Sequence, residues 1–385
     1  MNKSVSTSQR VLISGAGVAG LAAAIWLGRD GVDVVVVEKH PSQRQGGFIV
    51  GLCDQAYQDA IDLGVMDALR ARASGITRSR YLNGAGRTLL NLDYQRLFQG
   101  VDIIQIMRDD LVEGVFETAR NFADIRFGHS IRHLEQGANG VDVTFETGKT
   151  ERFDLVIGAD GQNSRTRDIA FHEDKIRHRH LGLMCAAYRL PNVLSLDAMF
   201  ETHMERHRYM NVFSTRQGDL GAIFVWQSTD QTAPPISSRR DILLDAFKNP
   251  PAATRDVLAH CPADGGFYMD PTIQILMDDW CNGRVALVGD AAHCLTLFSG
   301  RGAAAAFADA GYLSRAILSH PIEHALKTYQ AERLSHLRSI QDATEGAVHW
   351  YVPGNRTRQW MRDGAMALLP NRFFEAYFQH KYTMV

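Results

Sequence analysis

The sequence predicts an α/β chain: a Rossmann-like lobe on a parallel sheet, a second lobe on a mostly antiparallel β-sheet, and C-terminal helices. Three observations lead there. A strand, a glycine turn, a helix and a second, β-branched strand fill the first forty residues. Buried-strand patterns return at 154–158 and 284–288, each running straight into a polar turn. From about 180 to 272 the texture changes to short apolar strands punctuated by turns, the pattern of a separate lobe.

Residues 10–14 (Arg-Val-Leu-Ile-Ser) form an apolar run of the kind covered on both faces of a parallel sheet. A glycine turn follows, then a helix over 18–30 rich in Ala and Leu, closed by Gly31. Residues 33–38 (Asp-Val-Val-Val-Val-Glu) are the second strand. Residues 53–72 read as a helix with Ala56, Ala60, Leu63, Val65 and Leu69 at its apolar positions. Tyr81 to Asp93 alternates around Asn83-Gly84, a hairpin signal. An amphipathic helix over 109–122 and a strand pair over 131–146, turning at Asn139-Gly140, complete the first half. Strands at 209–214 and 221–227 and a helix at 239–248 belong to the second lobe. An Ala-rich helix spans about 302–318, and 322–349 and 356–382 are two further helices separated by Pro353-Gly354.

A length of 385 residues suits two lobes better than one core. Hydrophobic residues at 45% and charged residues at 22% are globular values. A net charge of −2 argues against nucleic acid or an anionic membrane as partner, because such binders carry a basic excess. The five cysteines, Cys53, Cys185, Cys261, Cys281 and Cys294, are scattered and form no C-x-x-C pair, so neither a disulfide framework nor a metal site is expected. The histidines between His172 and His180 likewise lack ligand spacing. No apolar run reaches the ~18–20 residues of a membrane span. The composition fits a soluble, cytoplasmic monomer or small homo-oligomer acting on small molecules.

Three motifs carry chemistry. The first is Gly15-Ala16-Gly17-Val18-Ala19-Gly20 between strand and helix. Gly15 permits the tight turn, Gly17 admits a pyrophosphate, and Gly20 lets helix and strand approach. N–H groups near Val18 and Ala19 and the positive helix end then favour phosphate. Glu38 closes the second strand, where a carboxylate accepts ribose hydroxyls and repels a 2′-phosphate, leaving FAD or NAD. Lys39 either flanks the adenosine or is a solvated strand end. The second motif, Asp160-Gly161-Gln162-Asn163-Ser164-Arg165-Thr166-Arg167, follows the strand at 154–158. The third, Gly289-Asp290-Ala291-Ala292-His293, follows 284–288, with Ser299-Gly300-Arg301-Gly302-Ala303 opening the next helix. An aspartate at a strand end can bind the polyol chain of a flavin, and the helix start stabilises negative charge on the reduced ring.

Together these motifs resemble the class A FAD-dependent monooxygenases, the para-hydroxybenzoate-hydroxylase-like family, and within it the short tetracycline-inactivating and polyketide hydroxylase members. The likeness covers nearly the whole chain. It implies a glutathione-reductase-type FAD-binding domain formed by 1–73, 99–180 and 273–320, a substrate-binding domain formed by 74–98 and 181–272, and C-terminal helices over 321–385 bridging the lobes. Positions 160–167 match the family's D-G-x-x-S-x-x-R motif, positions 289–290 its G-D motif, and Arg108 the arginine before a helix that contacts FAD. The implied cofactor-binding set is therefore Gly15, Gly17, Val18, Ala19, Gly20, Glu38, Lys39, Arg108, Asp160, Asp290, Gly300, Gly302 and Ala303. Leu297 and Leu295 depart from the family, which often carries proline there. His293, directly after Asp290-Ala291-Ala292, suggests a structural role beside the cofactor rather than a base.

The resemblance implies NADPH or NADH as transient co-substrate, O2 as oxidant, and hydroxylation of an aromatic or polycyclic molecule through a flavin C4a-hydroperoxide. The flavin carries that chemistry, so no catalytic side chain is assigned. Met210, Phe213, Phe224 and Trp226 are candidates for the substrate pocket, with Phe298 approaching from the flavin side; plain sheet core is the competing role. Baeyer–Villiger oxidation or epoxidation on the same scaffold, or a non-catalytic ligand-binding role, are the alternatives. Halogenation is disfavoured because Trp226, Trp280, Trp350 and Trp360 lie in no W-x-W-x-I-P context. The apolar segment from Trp360 to Tyr382 is expected to brace the two lobes.

Overall fold

The strand Arg10–Ser14 lies inside a six-stranded sheet ordered Cys281–Asn282, Val285–Leu287, Leu155–Gly158, Arg10–Ser14, Asp33–Glu38, Asp124–Phe127. Its pairings are parallel except at the edge strand Cys281–Asn282. The computed structural model describes residues 9–43 and 48–383; the positions 1–8, 44–47 and 384–385 assigned above to the lobes lie outside the described residues. Val11 to Ile13 and Val34 to Val37 are buried, as strands covered on both faces require. Helix Val18–Arg29 packs against helix Gly302–Ser319 on one face.

Several expected helices are interrupted. The helix expected over 53–72 is two, Asp54–Asp62 and Met66–Arg70, because Gly64 between them has φ +69°. The expected 356–382 helix is Arg356–Leu368 followed by Asn371–Thr383, with Pro370 at the break. In the second lobe a helix Ala252–Leu258 follows Ile236–Ala246, opening after Pro250-Pro251.

The second lobe is a seven-stranded sheet ordered Tyr268–Leu276, Arg177–Leu190, Leu220–Gln227, Arg208–Ser214, Met199–Met204, Arg78–Asn83, Thr88–Asp93. Its pairings are antiparallel except between Met199–Met204 and Arg78–Asn83. Strands Arg177–Leu190 and Tyr268–Leu276 cross the expected boundaries near 180 and 272, so they carry the chain between lobes. Side chains alternate across this sheet. One face buries Met184, Ala186, Met210, Phe224 and Trp226 beneath the helices holding Leu243, Phe247, Val257 and Leu258. The other face gathers Leu183, Cys185, Tyr209, Phe213, Ile223 and Val225 with Met107 and Phe298.

The 30-residue helix Ile322–Tyr351 joins the lobes. Its Tyr329 hydroxyl donates to the Leu287 carbonyl at 3.0 Å, its Gln341 side chain donates to the Ile275 carbonyl at 2.7 Å, and Val348 and Tyr351 reach the second sheet's inner face. The last two helices pack instead on the hairpin 78–93, placing Met366 and Phe374 against Leu90, Leu92, Leu97 and Phe98. No helix among the described residues is long and apolar enough to cross a membrane, and no group of three His, Cys, Asp or Glu among them is placed to hold a metal ion.

Candidate active site

Four neighbouring parallel strands deliver the three motifs and Glu38 to one sheet edge. Gly15 has φ +112°, and a Cβ added there would stand 2.4 Å from the Ala159 carbonyl oxygen. At Gly20 a Cβ would meet the Gly15 oxygen at 2.0 Å. Both glycines are required by the protein itself. Gly17 differs: a Cβ there meets nothing within 4 Å, so the turn opens onto space that the chain leaves empty. Helix Val18–Arg29 begins without a side-chain cap, so the N–H groups of Val18, Ala19 and Gly20 lack partners within the helix. An anion suits that end. Glu38, half-buried, accepts the Ala16 N–H at 3.2 Å and the His40 N–H at 3.0 Å, and each carboxylate oxygen keeps a lone pair for a ligand hydroxyl. Lys39 beside it is exposed.

Asp160 is occupied by its own loop. Its carboxylate accepts the Ser164 hydroxyl, the Thr166 N–H and the Thr166 hydroxyl, the last two at 2.9 Å, and stands 3.4 Å from the Ser14 hydroxyl. It therefore shapes the second motif and ties it to the first strand. Arg167, buried, donates to the Ala291 carbonyl at 3.1 Å and to the Gln162 carbonyl at 2.9 Å. Burial pulls its pKa down, with Asp168 and Asp160 acting in opposition. It bolts the second motif to the third.

Asp290 contrasts with Asp160. It opens the turn Asp290–His293, is half-buried, and has no hydrogen-bond partner among the described residues. Gly289 before it has φ +60°, and a Cβ there would lie 3.2 Å from the Ala19 Cβ and 3.9 Å from the Ala306 Cβ. The loop is thus wedged between the first turns of two helices. Behind it sits Asp309, fully buried, which accepts the Gly289 N–H at 2.9 Å, meets His293 Nε2 at 2.6 Å and pairs with Arg333 Nε at 2.9 Å. Burial pushes this carboxyl up, but His293, Arg333 and the Gly289 N–H outweigh it and hold it below the usual range. His293 is engaged in this anchor. Helix Gly302–Ser319 also starts without a side-chain cap; Gly300 has φ +67°, and a Cβ on Gly300 or Gly302 meets nothing within 4 Å. Ala303 is half-buried there.

Between the third motif and that helix, Leu295 is buried in the main core and Leu297 packs with Phe298 at the second sheet's inner face. Thr296 between them has φ +62°, an uncommon conformation for a threonine. Arg108 opens helix Arg108–Ala119, exposed, with its guanidinium carbon 5.8 Å from the Phe48 ring centroid.

Of the five pocket candidates, the structure brings Phe213 and Phe298 into one cluster facing the motif edge. Met210, Phe224 and Trp226 lie on the opposite face, where Phe247 meets Phe224 and Trp226 edge-on at 5.0 and 6.1 Å. The reason is alternation: positions 210 and 213, three residues apart, point to opposite faces. The inner face holds groups outside the candidate set. Phe200 stacks on Phe213 at 5.5 Å, Phe48 meets Tyr268 at 6.1 Å, and Tyr351 lies 6.4 Å from Tyr209 and 6.2 Å from Phe298. Asn211 lies between Tyr209 and Phe213 in that strand, its carboxamide oxygen buried without a hydrogen-bond partner among the described residues. Burial raises the phenols of Tyr209 and Tyr268 well above their usual range and that of Tyr351 to about 12, so all three are neutral donors at pH 7.

The family profile described as FAD binding domain matches residues 8–344. The chain belongs to the class A flavin monooxygenases. A flavin-dependent monooxygenase of Legionella longbeachae serogroup 1 (strain NSW150) is 32% identical over 354 residues, covering 90% of this chain and 89% of that protein. A flavin-dependent monooxygenase from an unknown prokaryotic organism is 33% identical over 311 residues, 79% of each chain. Among solved structures, the tetracycline destructase Tet(55) aligns with TM-score 0.84 at 26% identity, covering 98% of this chain and 97% of that one. Klebsiella pneumoniae HpxO, complexed with FAD and uric acid, shares the fold with TM-score 0.84 at 20% identity, covering 98% and 97%.

This monooxygenase is an FAD enzyme, and its sheet edge fits that cofactor. The open side of Gly17 and an Asp290 without a hydrogen-bond partner among the described residues are features that the protein fold alone does not need. Sequence reasoning placed Arg167 in the second motif without a role of its own and passed over the Asp309–Arg333 anchor. A lone aspartate in an Ala-rich helix was the available signal, since an acid buried there must have a partner.

Proposed function

We propose that this flavin monooxygenase hydroxylates a flat aromatic or polycyclic small molecule, tetracycline-like or polyketide-like, with NADPH or NADH as reductant. The aromatic inner face carries this reading. Phe48, Phe200, Phe213, Tyr209, Tyr268 and Tyr351 cluster on this face, with Phe298 of the 294–300 segment packed against them. Such rings suit a planar substrate, and the neutral phenols with Asn211 offer hydrogen bonds at its rim. The similarity to a tetracycline destructase across nearly the whole chain supports the same substrate class.

Bound FAD supplies the redox and oxygen-transfer chemistry, with one oxygen atom of O2 entering the product and the other leaving as water. The chain's own part is placement. Gly17 and the helix start at Val18 would receive the pyrophosphate, Glu38 the adenosine ribose, Asp290 a hydroxyl-bearing chain, and Arg108 the cofactor's flank. The start of helix Gly302–Ser319 would offer N–H donors and a positive dipole end to negative charge on the cofactor. The apolar wall excludes water from the reacting face. Asp160 contributes indirectly, through the loop it shapes.

The test is the visible spectrum of the purified protein, then NADPH and NADH oxidation with tetracycline and a panel of phenolic polyketides. Ligand-stimulated oxidation with a product heavier by one oxygen supports the reading. Oxidation that no aromatic ligand stimulates, with all O2 recovered as hydrogen peroxide, removes the substrate class.

A further inference from the structure

Asn211 is a polar side chain set in an apolar surround. Its strand, Arg208–Ser214, lies inside the seven-stranded sheet, with Asn211 opposite Thr202 in one neighbouring strand and Ile223 in the other. Tyr209 and Phe213, two positions either way, are buried in the inner-face cluster, and alternation puts Asn211 on that face between them. Its carboxamide oxygen is buried and accepts no hydrogen bond from any described residue. Burying an unpaired carbonyl is unfavourable, and native interiors avoid it. Glu201, Thr272 and Gln274, buried in the same sheet, show the ordinary case. Glu201 accepts from Arg80 Nε at 2.9 Å, the Thr272 hydroxyl donates to the Leu183 carbonyl at 3.0 Å, and Gln274 donates to the Gln341 carbonyl at 2.9 Å. The backbone ladders around Asn211 are complete without its side chain, so the fold gives the carboxamide no task of its own.

The surroundings point to a ligand. Asn211 is half-buried, and so are Phe200, Tyr268, Tyr351 and Phe48 on the same face, whereas Tyr209, Phe213 and Val225 beside them are sealed. The middle of the inner face is therefore open to a small molecule at Asn211. Phe200 and Phe213, stacked at 5.5 Å with their planes 3° apart, form a flat wall next to it.

We propose that Asn211 is a specificity residue of the substrate lobe, its carboxamide oxygen accepting a hydrogen bond from a hydroxyl on the substrate edge remote from the cofactor. This rests on the aromatic-substrate reading above and narrows it. The substrate is a polycycle that carries a hydrogen-bond donor on that edge, not an O-alkylated or plain aromatic counterpart. Orientation follows from the same contact. Leu297 and Phe298 meet the inner face from the motif side, so a ring held between them and the sheet turns one edge to the motifs and the other to Asn211. Apolar contact is non-directional and lets a flat ring slide along the wall. One directional acceptor fixes its register, and with it the carbon presented to the cofactor.

The experiment titrates the full-length, FAD-loaded protein calorimetrically with 2,6-dihydroxyanthraquinone and with 2,6-dimethoxyanthraquinone, in mildly acidic buffer that keeps the phenols neutral. A ligand that displaces water from a buried carbonyl must replace the hydrogen bond or bind more weakly. The wild type is therefore expected to bind the dihydroxy compound about tenfold more tightly or better. Asn211→Leu, of similar volume, is expected to bind the two within about twofold of each other, having no acceptor to lose, with flavin content and far-ultraviolet circular dichroism unchanged. The wild-type comparison needs no variant and stands even if Asn211→Leu folds poorly. Equal or weaker binding of the dihydroxy compound by the wild type, or a preference that survives in Asn211→Leu, overturns the inference and leaves the aromatic reading in place. A wild type that binds neither compound, nor tetracycline, overturns the aromatic reading and the inference with it.

Discussion

Replacing Asp309 with alanine should weaken the protein and its cofactor site together. The carboxylate is fully buried and joins three groups: the Gly289 N–H, His293 and Arg333. Hydrogen bonds to a charged group contribute about 1.5–3 kcal/mol each, but these share one acceptor and do not add. The dominant cost is the Arg333 guanidinium left buried without its anion, and breaking a buried pair in this way costs roughly 3–5 kcal/mol. The ring of Tyr312, 5.1 Å from the Arg333 guanidinium carbon, offsets a small part. Equilibrium urea denaturation of the apoprotein at pH 7 should show the loss, and flavin fluorescence titration at least a tenfold weaker affinity, since Gly289 loses its tether next to Asp290. Asp309→Asn keeps an acceptor and should lose less on both counts. The sign with pH follows from the depressed carboxyl: its stabilisation is present above the ordinary carboxylate range and disappears as pH falls through the lower folded value. An Asp309→Ala protein with wild-type denaturation and full flavin content would show that the anchor carries neither load.

Other substitutions separate the cofactor's needs from the fold's. Asp290→Ala should weaken FAD binding roughly ten- to a hundredfold, the worth of a charge-assisted hydrogen bond, with little change in apoprotein stability; a titration showing undiminished affinity refutes the assignment. Gly17→Ala should weaken flavin binding while the apoprotein stays stable, since a Cβ there meets no protein atom within 4 Å, whereas Gly20→Ala should lose both because its Cβ meets the Gly15 oxygen at 2.0 Å. Equal behaviour of the two in denaturation contradicts that division. Partial burial pushes the Glu151 carboxyl up, but hydrogen bonds from Arg10, Lys149 and Arg126 outweigh it and bring it down to about 2. Its stabilisation is complete above the ordinary 4.5 and is lost as pH falls towards 2, so Glu151→Gln should flatten the stability profile across that window. Phe213→Ala should alter KM for the substrate, while Trp226→Ala, a truncation beneath the helices, should destabilise by roughly 3–5 kcal/mol and leave KM unchanged; the reverse pattern refutes the face assignment.

The sequence made the parallel sheet legible because its signals are local. Arg10–Ser14 and Asp33–Glu38 are contiguous β-branched or aliphatic runs, and the glycine spacing between them has a steric reason that the structure bears out at Gly15 and Gly20. The return of the same pattern at 155–158 and 285–287 was equally local. What the sequence concealed was pairing across distance. Arg167 works through the carbonyl of Ala291, more than a hundred residues away, and Asp309 through Arg333 on the next helix. A carbonyl acceptor leaves no mark on residue type, so the first could not be read. Pocket residues fell between these cases. The candidates mixed both parities, although alternation already sets position 213 opposite position 210, and which parity faced the motifs depended on where the covering helices Ile236–Ala246 and Ala252–Leu258 would settle.

The two aspartates that open the second and third motifs look equivalent in sequence, each after a strand and each beside small residues. The structure gives them opposite duties. Asp160 spends its acceptor capacity on Ser164 and Thr166, fixing the loop that carries Arg167, while Asp290 has no partner among the described residues and Asp309 takes over the bonding of the Gly289 turn. A carboxylate can be held ready for a ligand only where some other group satisfies the backbone around it. The buried His293–Asp309–Arg333 anchor therefore spares Asp290 that duty, and its place behind the loop accounts for a charged cluster inside an otherwise apolar core.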